Sequence, residues 1–192
     1  MENPSLFILT VLTILGMPGP TNTLLATSGA ATGWRQSWPL VLAEAGGYLT
    51  TIMVLGFVLG PVLAGSPVIR MVLRLTVGIY LLMLAWTLWG RGGDDQVQAK
   101  AISFRQLFVA TLLNPKAIIF ALAVIPFGKP HVWAYLLGFV AMVAVVGTCW
   151  LIAGDGAGRV ARAGGKAQWV PRIGSAVVSI FALLIVASPL LK

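Results

Sequence analysis

Charge is scarce in this chain. Its 192 residues hold thirteen Lys and Arg, five Asp and Glu and one His, so 9% of side chains are charged while 58% are hydrophobic. An ordinary soluble domain carries about a quarter charged residues. So few cannot solvate the surface of a chain whose mean hydropathy is +0.94. That excludes a soluble enzyme, a nucleic-acid-binding module and a disordered tail, and makes lipid the expected solvent. A single cysteine, Cys149, leaves no internal disulfide. A single histidine, His131, leaves neither a His-based metal set nor a Ser/His/Asp constellation, and no phosphate loop occurs. No catalytic residue, metal or cofactor is therefore expected. The opening Met-Glu-Asn-Pro is without the basic region of a cleavable signal peptide.

What is abundant is long apolar stretches. A bilayer core needs about 20 apolar residues per helix, and six stretches qualify: Leu6–Ala31, Trp38–Leu63, Val68–Trp89, Gln106–Phe127, Val132–Ala153 and Ile173–Leu191. Turn residues or charge separate them, including a Gly-rich basic run from Gly154 to Arg172. The net charge of +8 is asymmetric. Arg35, Arg91, Lys100, Arg105, Arg159, Arg162, Lys166 and Arg172 fall in or beside the first, third and fifth loops. Lys129 and Lys192 lie opposite, joined by Arg70 and Arg74 if these snorkel outward. Basic loops stay in the cytoplasm, so both termini are expected outside. Trp34, Trp38, Trp86, Trp89, Trp150 and Trp169 would line the cytoplasmic interface.

The charge-rich segment from Gly90 to Ser103 divides the spans three and three. An odd number per half inverts the second half relative to the first, a plan many secondary transporters share. The fold expected is an all-α integral membrane protein of six transmembrane helices, built as two inverted three-helix repeats (about 1–90 and 104–192) joined by a linker at about 90–103. Helices 1 and 4 are expected to be broken. Pro18, Gly19 and Pro20 interrupt the first span near its middle, with Asn22 just beyond; Asn114 and Pro115 interrupt the fourth at the corresponding place. Proline removes a helix hydrogen bond, and in lipid the freed groups must face protein or water. Matched breaks point to a midplane solute site; the plainer alternative is a pair of packing kinks.

Besides Arg70 and Arg74 near the start of the third span, two charged residues lie inside spans. Lys116 stands about 15 Å from the edge of the fourth and Glu44 about 9 Å into the second. Such groups mark solute or proton pathways. The alternatives are a Glu44 carboxylate reaching the interface and a Lys116 ammonium bound to freed backbone carbonyls. Asp155 balances nearby arginines or gates the cytoplasmic face. His131 reads as a loop residue and Cys149 as a small packing residue. Gly56 and Gly60 form a face for close contact within one chain or in a homodimer.

These features resemble the LysE/RhtB family of amino-acid exporters over nearly the whole chain. The likeness is carried by Pro18-Gly19-Pro20 with Asn22, Gly33, Gly47, the run Tyr80 to Trp86, and Phe104 through Leu113-Asn114-Pro115-Lys116. The segments Gly33–Ser37 and Gln98–Phe104 look most like the cysteine/O-acetylserine exporter branch. The resemblance implies export of small amino acids through a bacterial inner membrane, driven by protons, with both breaks lining the path. Thr21 departs from the Asn or Asp frequent after Pro-Gly-Pro. Tyr48 stands where an acidic residue is common, and Glu44 lies one turn earlier on the same face. An uncoupled facilitator and a membrane regulatory subunit are the competing classes.

Overall fold

The computed structural model describes residues 4–59, 67–90, 102–127, 129–166 and 168–187. Every regular element among these residues is a helix. Helix α1 (Pro4–Gly16) and α2 (Pro20–Thr32) meet at 62°. Pro20 opens α2, where a missing N–H and a fixed φ are tolerated, and Gly33 ends it with φ +87°, a conformation that favours glycine. After that corner α3 (Trp34–Ser37) and α4 (Pro39–Met53) run on as one rod, because Trp38 between them is itself helical. The rod continues in wider, i→i+5 turns over Val54–Leu59.

Helix α5 spans Pro67–Gly90. Helix α6 (Phe104–Leu112) opens on a reciprocal cap: Gln106 N donates to Ser103 Oγ at 3.2 Å, and Ser103 N to Gln106 Oε1 at 3.0 Å. Helix α7 (Pro115–Ile119), with wide turns over Phe120–Val124, leaves α6 at a 46° bend. The long α8 (Val132–Ala163) and α9 (Trp169–Ala187) complete the bundle.

Among the described residues, two helices are long and apolar enough to cross a membrane, Trp34–Phe57 and Val132–Ala163. The two bent pairs pass the same test if each counts as one broken span, while Gly78–Gly90 and Trp169–Leu184 are shorter apolar stretches. Large apolar side chains on the outer surface, such as Leu137 at 73% and Trp86 at 82% exposure, suit a lipid surround.

The bounds differ from expectation chiefly in three places. The last helix starts at Trp169 rather than Ile173. The second span starts at Trp34 rather than Trp38. The fifth does not stop at Ala153 but continues to Ala163, through glycines that read as loop. Contact explains it. A methyl at Gly154 would overlap the Ala26 carbonyl, one at Gly158 the Ala30 carbonyl, and one at Gly29 the Leu151 carbonyl. Backbones of α2 and α8 therefore touch along a seam that any side chain would pry open. Arg162 closes its end, donating from Nη1 to Ala30 O at 2.5 Å.

Packing elsewhere follows similar rules. Gly47 of α4 lies against Thr111 and the Phe108 carbonyl of α6, and Thr51 Oγ1 donates to Leu112 O at 2.7 Å. Ser175 of α9 donates to Ala85 O of α5 at 2.6 Å. Gly56 receives the Phe127 ring, so its small face serves a contact within the chain; Gly60 lies outside the described residues. Cys149 is exposed on α8 rather than packed. His131 is exposed just before α8. The linker at 91–101 and the side chains of Arg70 and Arg74 fall outside what is described.

Replacing Gly154 by Leu should lower the thermal unfolding midpoint in detergent, since overpacking costs about 1–3 kcal/mol. Gly156→Ala, whose added methyl meets nothing within 4 Å, should leave the midpoint unchanged or raise it. Equal midpoints for the two variants would contradict the seam.

Candidate functional site

The apolar interior forms two clusters. One contains Val11, Leu15, Ala45, Tyr48, Ala117, Phe120 and Val143; the other contains Leu24, Leu25, Val41, Ala43, Ala110 and Leu151. On each of four chain segments the clusters change over at a polar residue or a glycine. These are Thr21 and Asn22 between Leu15 and Leu24, Glu44 between Ala43 and Ala45, Asn114 between Ala110 and Ala117, and Gly147 between Val143 and Leu151. A polar layer thus lies where the two cores meet.

Both breaks end in this layer. At the first, the α1 carbonyls have lost their helical donors. Asn22 supplies them, with Nδ2 donating to Leu15 O at 2.7 Å and to Met17 O at 2.9 Å. At the second, Asn114 caps α7, its Oδ1 accepting from Lys116 N at 3.0 Å. The amide of Asn114 is then free to face the other break. Its Nδ2 donates to Thr21 Oγ1 at 3.1 Å and to Tyr48 OH at 3.2 Å. Lys116 makes a second tie, from Nζ to Met17 O at 2.5 Å, with its stem lying over Gly19. A cation at the carbonyl end of α1 is also favoured by the helix dipole.

Glu44 is enclosed, 2% exposed, rather than reaching an interface. Thr21 and Tyr48 are neighbours of its carboxylate. On α8, Gly147 makes room for it: a Cβ there would stand 2.8 Å from Glu44 Oε2. Lys116 and Glu44 feel each other's charge but form no direct ion pair, because the ammonium is held by Met17 O. That is the backbone-carbonyl arrangement weighed above for Lys116. Asp155 accepts from Arg159 at 2.5 and 3.1 Å and lies beside the Gly33 corner.

All nine residues singled out from the sequence, Pro18, Gly19, Pro20, Asn22, Glu44, Tyr48, Asn114, Pro115 and Lys116, sit in or beside this layer. Pro18 faces outward, whereas Gly19, Pro20, Asn22, Glu44, Tyr48 and Asn114 are buried. Thr21 and Gly147 were not among them. Thr21 is fully buried and touches both breaks; its position directly after Pro-Gly-Pro was the available signal. Among the described residues, no group of three or more His, Cys, Asp and Glu could hold a metal ion.

The family model of LysE type translocators matches residues 12–191, which include both breaks and the whole polar layer. The chain belongs to this family. Curated relatives include the cysteine/O-acetylserine efflux proteins of Escherichia coli strain K12, 27% identical over 145 residues, and of Salmonella typhi, 28% identical over the same length. Each alignment covers 71% of this chain and 74% of the relative. No solved structure matches.

Asn114→Ala removes a cap worth about 0.5–2 kcal/mol and strands the groups it ties, at about 1–3 kcal/mol each when buried. Asn114→Ser keeps a cap oxygen but not the two ties. Thermal unfolding should rank wild type above Ser and Ser above Ala; a serine variant as stable as wild type would show that the ties contribute nothing.

Proposed function

We propose that this chain exports small amino acids or their derivatives from the cytoplasm across a bacterial inner membrane, exchanging them for protons. The observation that carries this reading is the junction of the two breaks. Asn114, at the second, holds Thr21, just past the first, beside an enclosed carboxylate. Packing kinks alone would need neither the amide bridge nor Glu44. The names of the relatives support the substrate class, since cysteine and O-acetylserine are both small zwitterions. Such a solute needs a positive and a negative partner. The N-terminal end of α2 and Lys116 suit its carboxylate; Glu44 and the amide oxygens suit its ammonium. Export, rather than catalysis, is the chemistry this layer serves.

The reading takes each bent pair as one broken span and α5 and α9 as spans, six in all, in two inverted repeats (about 1–90 and 104–192) with both termini outside. On that topology the seam of Gly29, Gly154 and Gly158 seals the cytoplasmic half, latched by Arg162 on Ala30 O. In the outer half an apolar cavity of about 480 Å³ lies between Phe7 and Ile8 of α1 and Ala134, Tyr135 and Met142 of α8. With the seam closed, this arrangement is the member of an alternating-access cycle that is shut to the cytoplasm. A proton taken up in this state would release the ammonium from Glu44, and the seam would then part to admit the next solute from inside.

Efflux of labelled cysteine, O-acetylserine and other amino acids from proteoliposomes tests the proposal. An acidic exterior should accelerate efflux by the wild type and not by Glu44→Gln. Efflux indifferent to the gradient in the wild type would indicate an uncoupled facilitator, and no flux of any amino acid would overturn the exporter reading.

A further inference from the structure

Not every small residue of α8 serves a helix contact. Gly147, Gly154 and Gly158 each meet another segment, but a methyl at Gly138 would meet nothing within 4 Å. Gly138 lines the cavity of about 480 Å³ between α1 and α8, a volume within the range of ligand sites, about 300–1,000 Å³. Ala134, Tyr135, Gly138 and Met142 recur at helical spacing and form one strip along α8, which Phe7 and Ile8 face from α1. That strip lies between two others on the same helix. On one side Leu136, Phe139 and Val143 pack into the core with Phe7 and Val11. On the other, Trp133, Leu137 and Ala141 are exposed. The cavity is therefore a groove beside the packed contact of α1 with α8, opening toward the lipid-facing side of α8.

The lining limits what can enter. Apart from the His131 imidazole at one end and the Tyr135 phenol, whose ring packs edge-on to Phe7 at 4.8 Å, the described lining residues are apolar. An amino acid needs an anion for its ammonium and finds none among them. The length suits another occupant. From Val132, where α8 starts, to Met142 is about 15 Å, half of a hydrocarbon core of about 30 Å. The acyl chain of one leaflet has that reach. Pro4 and His131, at the starts of α1 and α8, put the end of the groove at the level of the lipid head groups. We infer that the groove seats one acyl chain of a phospholipid from this leaflet, as a structural lipid wedged between α1 and α8. Lipid tails are as apolar as the groove, so its preference comes from packing rather than from the hydrophobic effect. A chain in the surrounding bilayer touches one helix face, whereas a chain here touches two, and an empty groove would forfeit those contacts. The wedge steadies α1, whose end carries the Leu15 and Met17 carbonyls of the first break. The inference needs only that α8 crosses the membrane, and stands whatever solute the chain carries.

The test places the full chain in bilayers containing a phospholipid with a photoreactive acyl chain, then extracts it into mild detergent for native mass spectrometry and label mapping. The wild type should retain one phospholipid, with the photolabel concentrated on Ile8, Ala134, Gly138 and Met142. Gly138→Phe, whose ring enters the open groove, should lose the retained lipid and the label. Leu137→Phe, on the exposed strip, should keep both. Phospholipid added to delipidated protein should raise the thermal unfolding midpoint of the wild type and not that of Gly138→Phe. Label spread evenly over the groove and the Leu137 strip, with no lipid retained, would mean ordinary surrounding lipid only and would overturn the inference. A dimer that Gly138→Phe dissociates, with no label in the groove, would assign the groove to a second copy of the chain and overturn it as well. Should Gly138→Phe fail to fold, the label map and retained lipid of the wild type decide alone.

Discussion

Backbone groups released by a break inside lipid have to find partners within the protein, since the surroundings offer none. In this chain that requirement organises the centre of the molecule. The carbonyls at the end of α1 are taken up by Asn22 from its own span and by Lys116 from the other. The start of α7 is taken up by Asn114, whose remaining donors reach back to Thr21 and Tyr48. The first break is satisfied partly by Lys116 of the second, and the Asn114 side-chain amide of the second is satisfied partly by Thr21 beside the first. The two cannot move independently without leaving buried polar groups unpaired, at about 1–3 kcal/mol apiece. This coupling is what a carrier that opens to one side at a time demands.

The polar layer also explains the division of the interior. Two apolar cores are stabilised by burial in the ordinary way. Between them lies a band in which Glu44 is enclosed only because α8 offers a glycine, Gly147, at its level. The same helix carries Gly154 and Gly158 farther along, where they let α2 approach to backbone contact. Glycine thus has two uses on α8: room for a carboxylate at the centre, and closure of one end. The seam of close contact and one arginine lies beside the second apolar core, which includes Leu24, Leu25 and Leu151.

Much of this was legible in the sequence, and the reasons are physical. Prolines inside apolar runs announce interrupted helices, because each removes a backbone hydrogen bond. Asn22, Glu44, Asn114 and Lys116 announce themselves because polar side chains are rare in such runs. Other features were hidden. The stretch from Gly154 to Ala163 reads as a loop on composition, since glycine disfavours an isolated helix; only the tertiary contact with α2 keeps it helical. Thr21 was passed over because a hydroxyl is cheap to bury and carries no charge, so its importance appears only with its neighbours in place. For Lys116 the sequence left two partners open, Glu44 or freed backbone carbonyls, and the carbonyl of Met17 is the one it takes.

A double-mutant cycle between Thr21 and Asn114 tests the central claim most directly. Thermal or denaturant unfolding of Thr21→Val, Asn114→Ala and the double variant, compared with wild type, isolates the interaction across the two breaks from the loss of the Asn114 cap. The account predicts an interaction energy within the range of about 0.5–3 kcal/mol found for residues that share a hydrogen-bond network. Additive effects would mean that the two breaks lie side by side without being joined, and would contradict it.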